Sequence, residues 1–216
     1  MTLRLTVENL SARRGDELIF QDISFLAEEG NVLCVKGQNG SGKTTLLRVI
    51  AGLLPIEAGS VHLRGLSAET SNPGEACHYL GHRNAMKREL TVRENLGFWK
   101  HNLGDSPGGI GIAPEAAVEA VGLAGLSHIP FGYLSAGQQR RIAMAKLLVA
   151  HRPVWILDEP TAALDTSAEA MFARLVTHHL EKGGIAIIAT HQPLDIAEMT
   201  ELFMPGLPTA HLDTWA

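Results

Sequence analysis

No stretch of this 216-residue chain holds the roughly 18 consecutive apolar residues that a membrane-crossing helix needs; the longest apolar runs are pieces such as VWIL and IAII. Any membrane role is therefore expected to be borrowed from a partner. Basic charge is not in excess either, since 18 Lys and Arg stand against 23 Asp and Glu for a formal net charge of −5. No global positive field draws such a protein to nucleic acid or anionic lipid, and its basic residues must act locally. The two cysteines, Cys34 and Cys77, lie far apart without disulfide or metal-ligand spacing, which suits a reducing compartment and predicts a cytosolic location. The opening MTLRLTVENLSARRGDE lacks the apolar core and small-residue cleavage site of a signal peptide, so the chain is expected to begin as mature protein. There is no internal repeat or low-complexity tract. What remains is a chain with 45% hydrophobic residues, long enough to bury a sizeable core.

The order of hydrophobic patterns predicts an α/β fold. LRLTVENL alternates apolar and polar positions and LIFQDISFLAEEG does so loosely, which reads as two half-buried strands forming an antiparallel edge. NVLCVKG looks like a strand buried on both faces, and TTLLRVIAGLL after it has helical spacing. GSVHLRG and HYLGH are short strand candidates. ENLGFWKHNL reads as a helix, GDSPGGIGIAP as a flexible loop, and PEAAVEAVGLAGL as a further helix with proline in its first turn. SAGQQRRIAMAKLLVAH is the longest expected helix. VWILDEP and GIAIIATH are β-branched, apolar strands, with AEAMFARLVTHHLEKGG supplying the helix between them and only a short tail expected after His191. Strands alternating with helices indicate a largely parallel sheet, whose ligands bind beyond the carboxyl ends of its strands.

Four segments carry the chemistry. Gly37-Gln38-Asn39-Gly40-Ser41-Gly42-Lys43-Thr44 fits G-x-x-x-x-G-K-[ST], a loop whose backbone N–H groups wrap a polyphosphate, with Lys43 on the outer phosphates, Thr44 able to ligate magnesium, and Thr45 beside it. Asp158, at the end of VWILDEP, can hold magnesium directly or through water, and Glu159 next to it can polarise an attacking water. His191, ending GIAIIATH at the same edge of the sheet, is in reach of a γ-phosphate. Together these point to in-line hydrolysis of a nucleoside triphosphate by positioning and electrostatics. The fourth segment, LSAGQQRR over Leu134–Arg141, joins a small turn to a run of good helix formers, a second helix N-terminus suited to an anion.

Set in chain order, these segments resemble the nucleotide-binding subunits of ATP-binding-cassette (ABC) transporters across nearly the whole sequence. The resemblance assigns GQNGSGKT to Walker A, the segment around His82 to the Q-loop, LSAGQQRR to the signature, VWILDEP to Walker B, TAALD with Asp165 to the D-loop, and THQ to the H-loop. It implies a P-loop ATPase with a RecA-like core, an N-terminal antiparallel β subdomain and a helical subdomain inserted over 83–150, all within one domain, 1–216. It implies ATP and Mg2+ at the site, and a head-to-tail dimer in which the signature residues Leu134, Ser135, Ala136, Gly137 and Gln138 face the nucleotide of a second copy. Two positions depart from the family pattern. Arg14, in SARRGDELIF, stands where many members place an aromatic residue against adenine; a guanidinium plane can stack there instead. His82 stands where the Q-loop glutamine belongs.

The short chain, LGH, IPFGYLSAGQQRR, WILDEP and THQPL narrow the resemblance to the haem-exporter ATPases of cytochrome c maturation. That implies a CcmB-like membrane permease, a CcmC-like haem-handling membrane protein, and a peripheral position on the cytoplasmic face of the bacterial inner membrane. The alternative is the same ATPase serving a lipid, peptide or metal. A DNA-repair or translation ATPase is disfavoured by the acidic charge, by the short interval between Walker A and the signature, and by the single cassette. A module that binds ATP without hydrolysing it is disfavoured by the presence of Lys43, Asp158 and Glu159. Haem is not expected to touch this chain: His178 and His179 end a helix where cationic side chains suit the dipole, and Phe98 and Trp99 read as subdomain core.

Overall fold

The computed structural model describes residues 2–66, 72–162, 164–196 and 199–206. In chain order its elements are β1 (Arg4–Arg14), β2 (Glu17–Glu28), β3 (Val32–Lys36), α1 (Lys43–Ile50), β4 (Ala58–Arg64), β5 (Cys77–Leu80), α2 (Val92–Leu103), α3 (Pro114–Ala120), α4 (Ala136–Val149), β6 (Val154–Asp158), α5 (Thr166–Glu181), β7 (Ile185–Ala189) and β8 (Met199–Phe203). They form two sheets. The antiparallel one has the order β2-β1-β4, so the predicted two-stranded edge gains a third strand on the far side of β1. The other has five parallel strands in the order β5-β6-β7-β3-β8.

Strand periodicity explains how the two sheets share a molecule. Every residue of β6 and β7 is buried, and alternate side chains enter different cores. Val154 and Ile156 of β6 join Leu46, Leu47 and Ile50 of α1 and Leu5, Val7 and Leu10 of β1. Trp155 and Leu157 face the other way, into a core with Phe172 of α5 and Ile142 and Met144 of α4. That second core runs on through Leu96 of α2 and Val118 of α3. Of the helices between Walker A and Walker B, α2 and α3 are thus joined to the parallel sheet through α4, while α1 packs on its other face.

Four expectations need correction. The longest helix is α5, with 16 residues, and α4 has 14, because its last turn gives way to extended backbone at Ala150. The segment PEAAVEAVGLAGL is helical only to Ala120, and Gly122 (φ 72) and Gly125 (φ 84) turn the chain in left-handed conformations. The GDSPGG loop is irregular but fastened: Asp105 accepts the Gly111 and His151 amides at 2.8 and 2.6 Å, and Lys100 donates to the Gly111, Ile112 and Val149 carbonyls. After His191 the chain is more than a tail. β8 runs parallel to β3, pairing with no other strand among the described residues, with Phe203 largely exposed, so it never shows the all-apolar signature of the strands inside the sheet.

The pair His178 and His179 also divides. His178 is exposed, 3.7 Å from Glu181. His179 is buried, stacked on Trp155 with ring centroids 4.0 Å apart, and its Nε2 lies 3.2 Å from the Ile185 carbonyl. Burial pushes its pKa down to about 4, so it is neutral at pH 7 and supplies no charge to the helix dipole.

Candidate nucleotide site

At the carboxyl end of β3 the chain turns through Gly37 (φ 151), Gly40 (φ 83) and Gly42 (φ 93) before entering α1. Two of these glycines are required. A Cβ on Gly37 would stand 2.6 Å from the Met204 carbonyl and the Ser41 hydroxyl, and one on Gly42 would meet Ile19 at 2.9 Å on a left-handed backbone. Gly42 is the N-cap of α1 and offers no side-chain cap, so among the described residues no side chain caps the first N–H groups of the helix. Lys43 folds back into the loop, its Nζ donating to the Gly37 carbonyl at 2.8 Å and the Gln38 carbonyl at 3.0 Å. Gln38 itself closes the turn by accepting the Ser41 amide, and the buried Ser41 hydroxyl has no hydrogen-bond partner among the described residues. Donors without acceptors and an ammonium on backbone carbonyls are what a loop awaiting a polyphosphate presents.

Opposite the loop, β6 delivers Asp158, 2% exposed. Its Oδ2 accepts the Thr44 hydroxyl at 2.9 Å and the Tyr79 phenol at 3.3 Å, and the Arg48 Nε donates to that phenol at 3.2 Å. His82 Nε2 stands 3.8 Å from the same carboxylate oxygen. Glu159 adopts a left-handed backbone (φ 47), unusual for a residue other than glycine, with its amide held by the Ala189 carbonyl at 2.8 Å. His191 Nε2 lies 3.7 Å from Glu159 Oε1. A cavity of about 310 Å³ joins these groups, lined by Arg14, Asn39, Gly40, Gly42, Lys43, Thr44, Thr45, His82, Asp158, Glu159 and His191, with Ile19 beside Arg14. Arg14 is exposed at the rim, so the position that departs from the family pattern does reach the cavity.

The signature is elsewhere: among the described residues lining that cavity, none comes from Leu134–Gln138. Leu134 is buried, whereas Ser135 and Ala136 are exposed and Gly137 is half-buried. Ser135 caps α4 reciprocally with Gln138, each side chain bonding the other's amide, at 3.3 and 2.9 Å. Asp165 caps α5, accepting the Ala168 amide at 2.8 Å and the Ser167 hydroxyl at 2.7 Å; these bonds, the hydroxyl's first, hold its carboxyl below the usual carboxylate range. Arg141 of α4 approaches Asp165 at 3.9 Å.

Sequence reasoning missed Tyr79 and Arg48. Both lay in segments read only as strand and helix, and nothing in HYLGH marks a phenol aimed at Asp158. It also missed the use of Arg140, although that residue stands in the quoted run LSAGQQRR. Beside the nucleotide cavity lies a groove of about 500 Å³, lined in part by Arg48, Leu53, Tyr79, Trp99 and Lys146; His82 lines both. Lys146 Nζ sits 4.6 Å from the Trp99 ring centroid and donates to the Tyr79 carbonyl at 3.0 Å. Burial, then the nearby Arg140 charge, lowers its pKa to about 8. Trp99 thus lies partly in the core and partly on this groove, while Phe98, 49% exposed, is surface and not the core residue expected.

Comparison with known proteins agrees with this geometry. The family described as ABC transporter matches residues 20–162. The cytochrome c biogenesis ATP-binding export protein CcmA of Rhizobium meliloti is 63% identical over 204 residues, covering 94% of this chain and 99% of that protein. The protein of the same name from Agrobacterium fabrum is 62% identical over 214 residues, covering 98% and 99%. Among solved structures, a putative ABC transporter ATP-binding protein from Pyrococcus furiosus superposes with a TM-score of 0.77 at 24% identity, covering 93% of this chain and 97% of that one. An ATP-binding cassette solved in its ADP conformation gives 0.71 at 23% identity, covering 89% and 82%; at such identities the likeness is one of fold. A P-loop facing a Walker B carboxylate, a signature turned away from that cavity and near-full-length identity to these relatives lead to one statement: the chain belongs to the ABC transporter ATP-binding subunits, in the branch of the cytochrome c biogenesis ATP-binding export proteins.

Proposed function

We propose that this chain hydrolyses ATP in a two-copy sandwich to drive haem-chaperone release in cytochrome c maturation. In this reading it sits on the cytoplasmic face of the bacterial inner membrane with a CcmB-like permease and a CcmC-like haem-handling protein. The observation that carries it is the convergence of Thr44, Asp158, Glu159 and His191 around a P-loop from which Ser135 and Gly137 are absent. One chain then holds half of each site. The other half comes from a second copy.

Each residue has a task that its position supports. Lys43 exchanges its two loop carbonyls for the outer phosphates, and the α1 N–H groups hold the phosphate chain. Thr44 and Asp158 offer hard oxygen donors within hydrogen-bond distance of one another, a set that suits Mg2+. Magnesium bound there supplies charge neutralisation on the phosphates. Glu159 accepts the proton of the attacking water, which adds to the γ-phosphorus as the bond to the ADP oxygen breaks, leaving ADP and inorganic phosphate. His191, beside Glu159, donates to the γ-phosphate. Ser135 and Gly137 bind the nucleotide of the partner copy, and Asp165 faces the same interface. Residues 83–150 act as the helical subdomain, and the groove next to His82 receives the permease. No contact with nucleic acid or haem is part of this reading.

Affinity purification of the chain from membranes tests it. The expected result is co-purification of a permease and a haem-handling membrane protein, with a haem-loaded chaperone released on adding ATP. A permease without any haem-handling partner overturns the cargo and leaves the ATPase.

A further inference from the structure

We infer that Arg140 is the positioning residue through which engagement of the signature turn by a partner's nucleotide is relayed to Glu159 and His82 of the same chain. The inference rests on the split-site reading above and goes beyond it, because that reading says nothing of how one half of the chain informs the other.

The geometry is specific. Arg140 lies on α4, five residues past the N-cap Ser135, so about 7.5 Å further along one rigid helix. It is 7% exposed and its guanidinium donates to backbone carbonyls of two other segments. Nη1 reaches the Gly81 carbonyl at 2.7 Å, with the Asn84 side-chain oxygen at 3.4 Å. Nη2 reaches the Glu159 carbonyl at 2.8 Å, and Nε the Pro160 carbonyl at 3.0 Å. Gly81 immediately precedes His82, and the other two carbonyls belong to the catalytic turn.

The Glu159 peptide is therefore gripped on both sides, its amide by Ala189 at the end of β7 and its carbonyl by Arg140. Its backbone is left-handed (φ 47). A residue in that conformation persists only where its surroundings hold it, and the direction of its carboxylate follows from the hold. Burial pulls the guanidinium's pKa down, and the charge of nearby Asp158 offsets part of that while the carbonyls satisfy its N–H groups. The planar fork matters: it donates to Gly81, Glu159 and Pro160 from three separate nitrogens held in one plane, whereas an ammonium offers its three N–H groups from a single point and cannot keep the same spacing. When Ser135 moves to take up a phosphate, α4 carries the displacement to Arg140. Arg140 in turn shifts Glu159 and the residue before His82 as one unit.

The test is a double-mutant cycle on the full-length chain in its membrane complex, using Arg140→Lys, which keeps the charge, with Arg140→Gln as the second variant should the first fold poorly. Turnover is expressed per chain able to bind a fluorescent ATP analogue. Expected is a fall in kcat of about tenfold or more, with analogue affinity of the resting chain within about threefold of wild type. The combined Arg140→Lys and Ser135→Ala variant should lose at least about fivefold less than the product of the two single losses, because both interrupt one relay. Losses that multiply within about twofold, or an unchanged kcat in Arg140→Lys, overturn the inference while leaving the split site standing. If Ser135→Ala alone has no effect on turnover, the split-site reading fails and takes this inference with it.

Discussion

α1 begins at Gly42, whose left-handed backbone leaves the first N–H groups uncapped; α4 begins at Ser135, whose hydroxyl and the Gln138 amide close the helix start on each other. Both stretches read as anion sites in the sequence, and their states differ. The P-loop end is open, with Gly37 and Gly42 where a Cβ would collide and the buried Ser41 hydroxyl without a partner among the described residues. The signature end is satisfied by its own side chains and stands exposed. On the proposed reading, the open end binds nucleotide in a lone chain, whereas the closed end exchanges its internal bonds for a ligand presented from outside. On the same reading the order of events is nucleotide first, partner second.

The largest effect that separates the two ends comes from Glu159→Gln. It leaves the open end intact and removes the base, so turnover should fall about 10²-fold or more while ATP accumulates in a trapped dimer. Steady-state phosphate release measures the first and size-exclusion chromatography the second. Unchanged hydrolysis would remove Glu159 from its role.

Loss of the shared frame must be told apart from loss of either end, and acid does this. His179 and His78 are buried, and burial lowers their pKa to about 4 and about 3. Between pH 6.5 and about 4 the unfolded chain takes up protons at these positions that the folded chain refuses, so stability is lost as pH falls through that window. For His179 the shift corresponds to about 3 kcal/mol. A His179→Phe variant, which keeps a ring against Trp155, should show a shallower acid limb in thermal melts followed against pH. An unaltered limb would mean that His179 is not held neutral by the fold.

The smallest effect is at the closed end. Gln138→Ala removes one of the two cap bonds and should cost about 0.5–1 kcal/mol, seen as a Tm lower by roughly 1–4 °C. The affinity of the resting chain for fluorescent ATP analogue should stay within about twofold, since α1 is untouched. A loss of that affinity would tie the two ends together within one chain and break the contrast.

How far the sequence revealed this arrangement depends on which property was needed. Walker A and the end of β6 were legible because glycine at Gly37 and Gly42, and burial along VWILD, are local demands that the residue types state directly. β8 was not legible: at the edge of the sheet, facing β3 alone, its residues Met199–Phe203 had no pattern to keep. Nor were Tyr79, Arg48 and Arg140. Tyr79 reaches Asp158 across 79 positions and Arg140 reaches Gly81 across 59, and such meetings follow from tertiary packing rather than from spacing. His179 shows the opposite error, since its place at a helix end suggested a charge that its burial against Trp155 removes.

The central claim is that Ser135 serves the nucleotide of another copy and not that of its own chain. Its most direct test is ATP-dependent dimerisation of Glu159→Gln with and without Ser135→Ala, measured by light scattering beside titration of the monomer with a fluorescent ATP analogue. The prediction is that the added Ser135→Ala abolishes the ATP-bound dimer and leaves monomer affinity within about threefold. Loss of analogue binding by the monomer, or a dimer that forms as before, would contradict it.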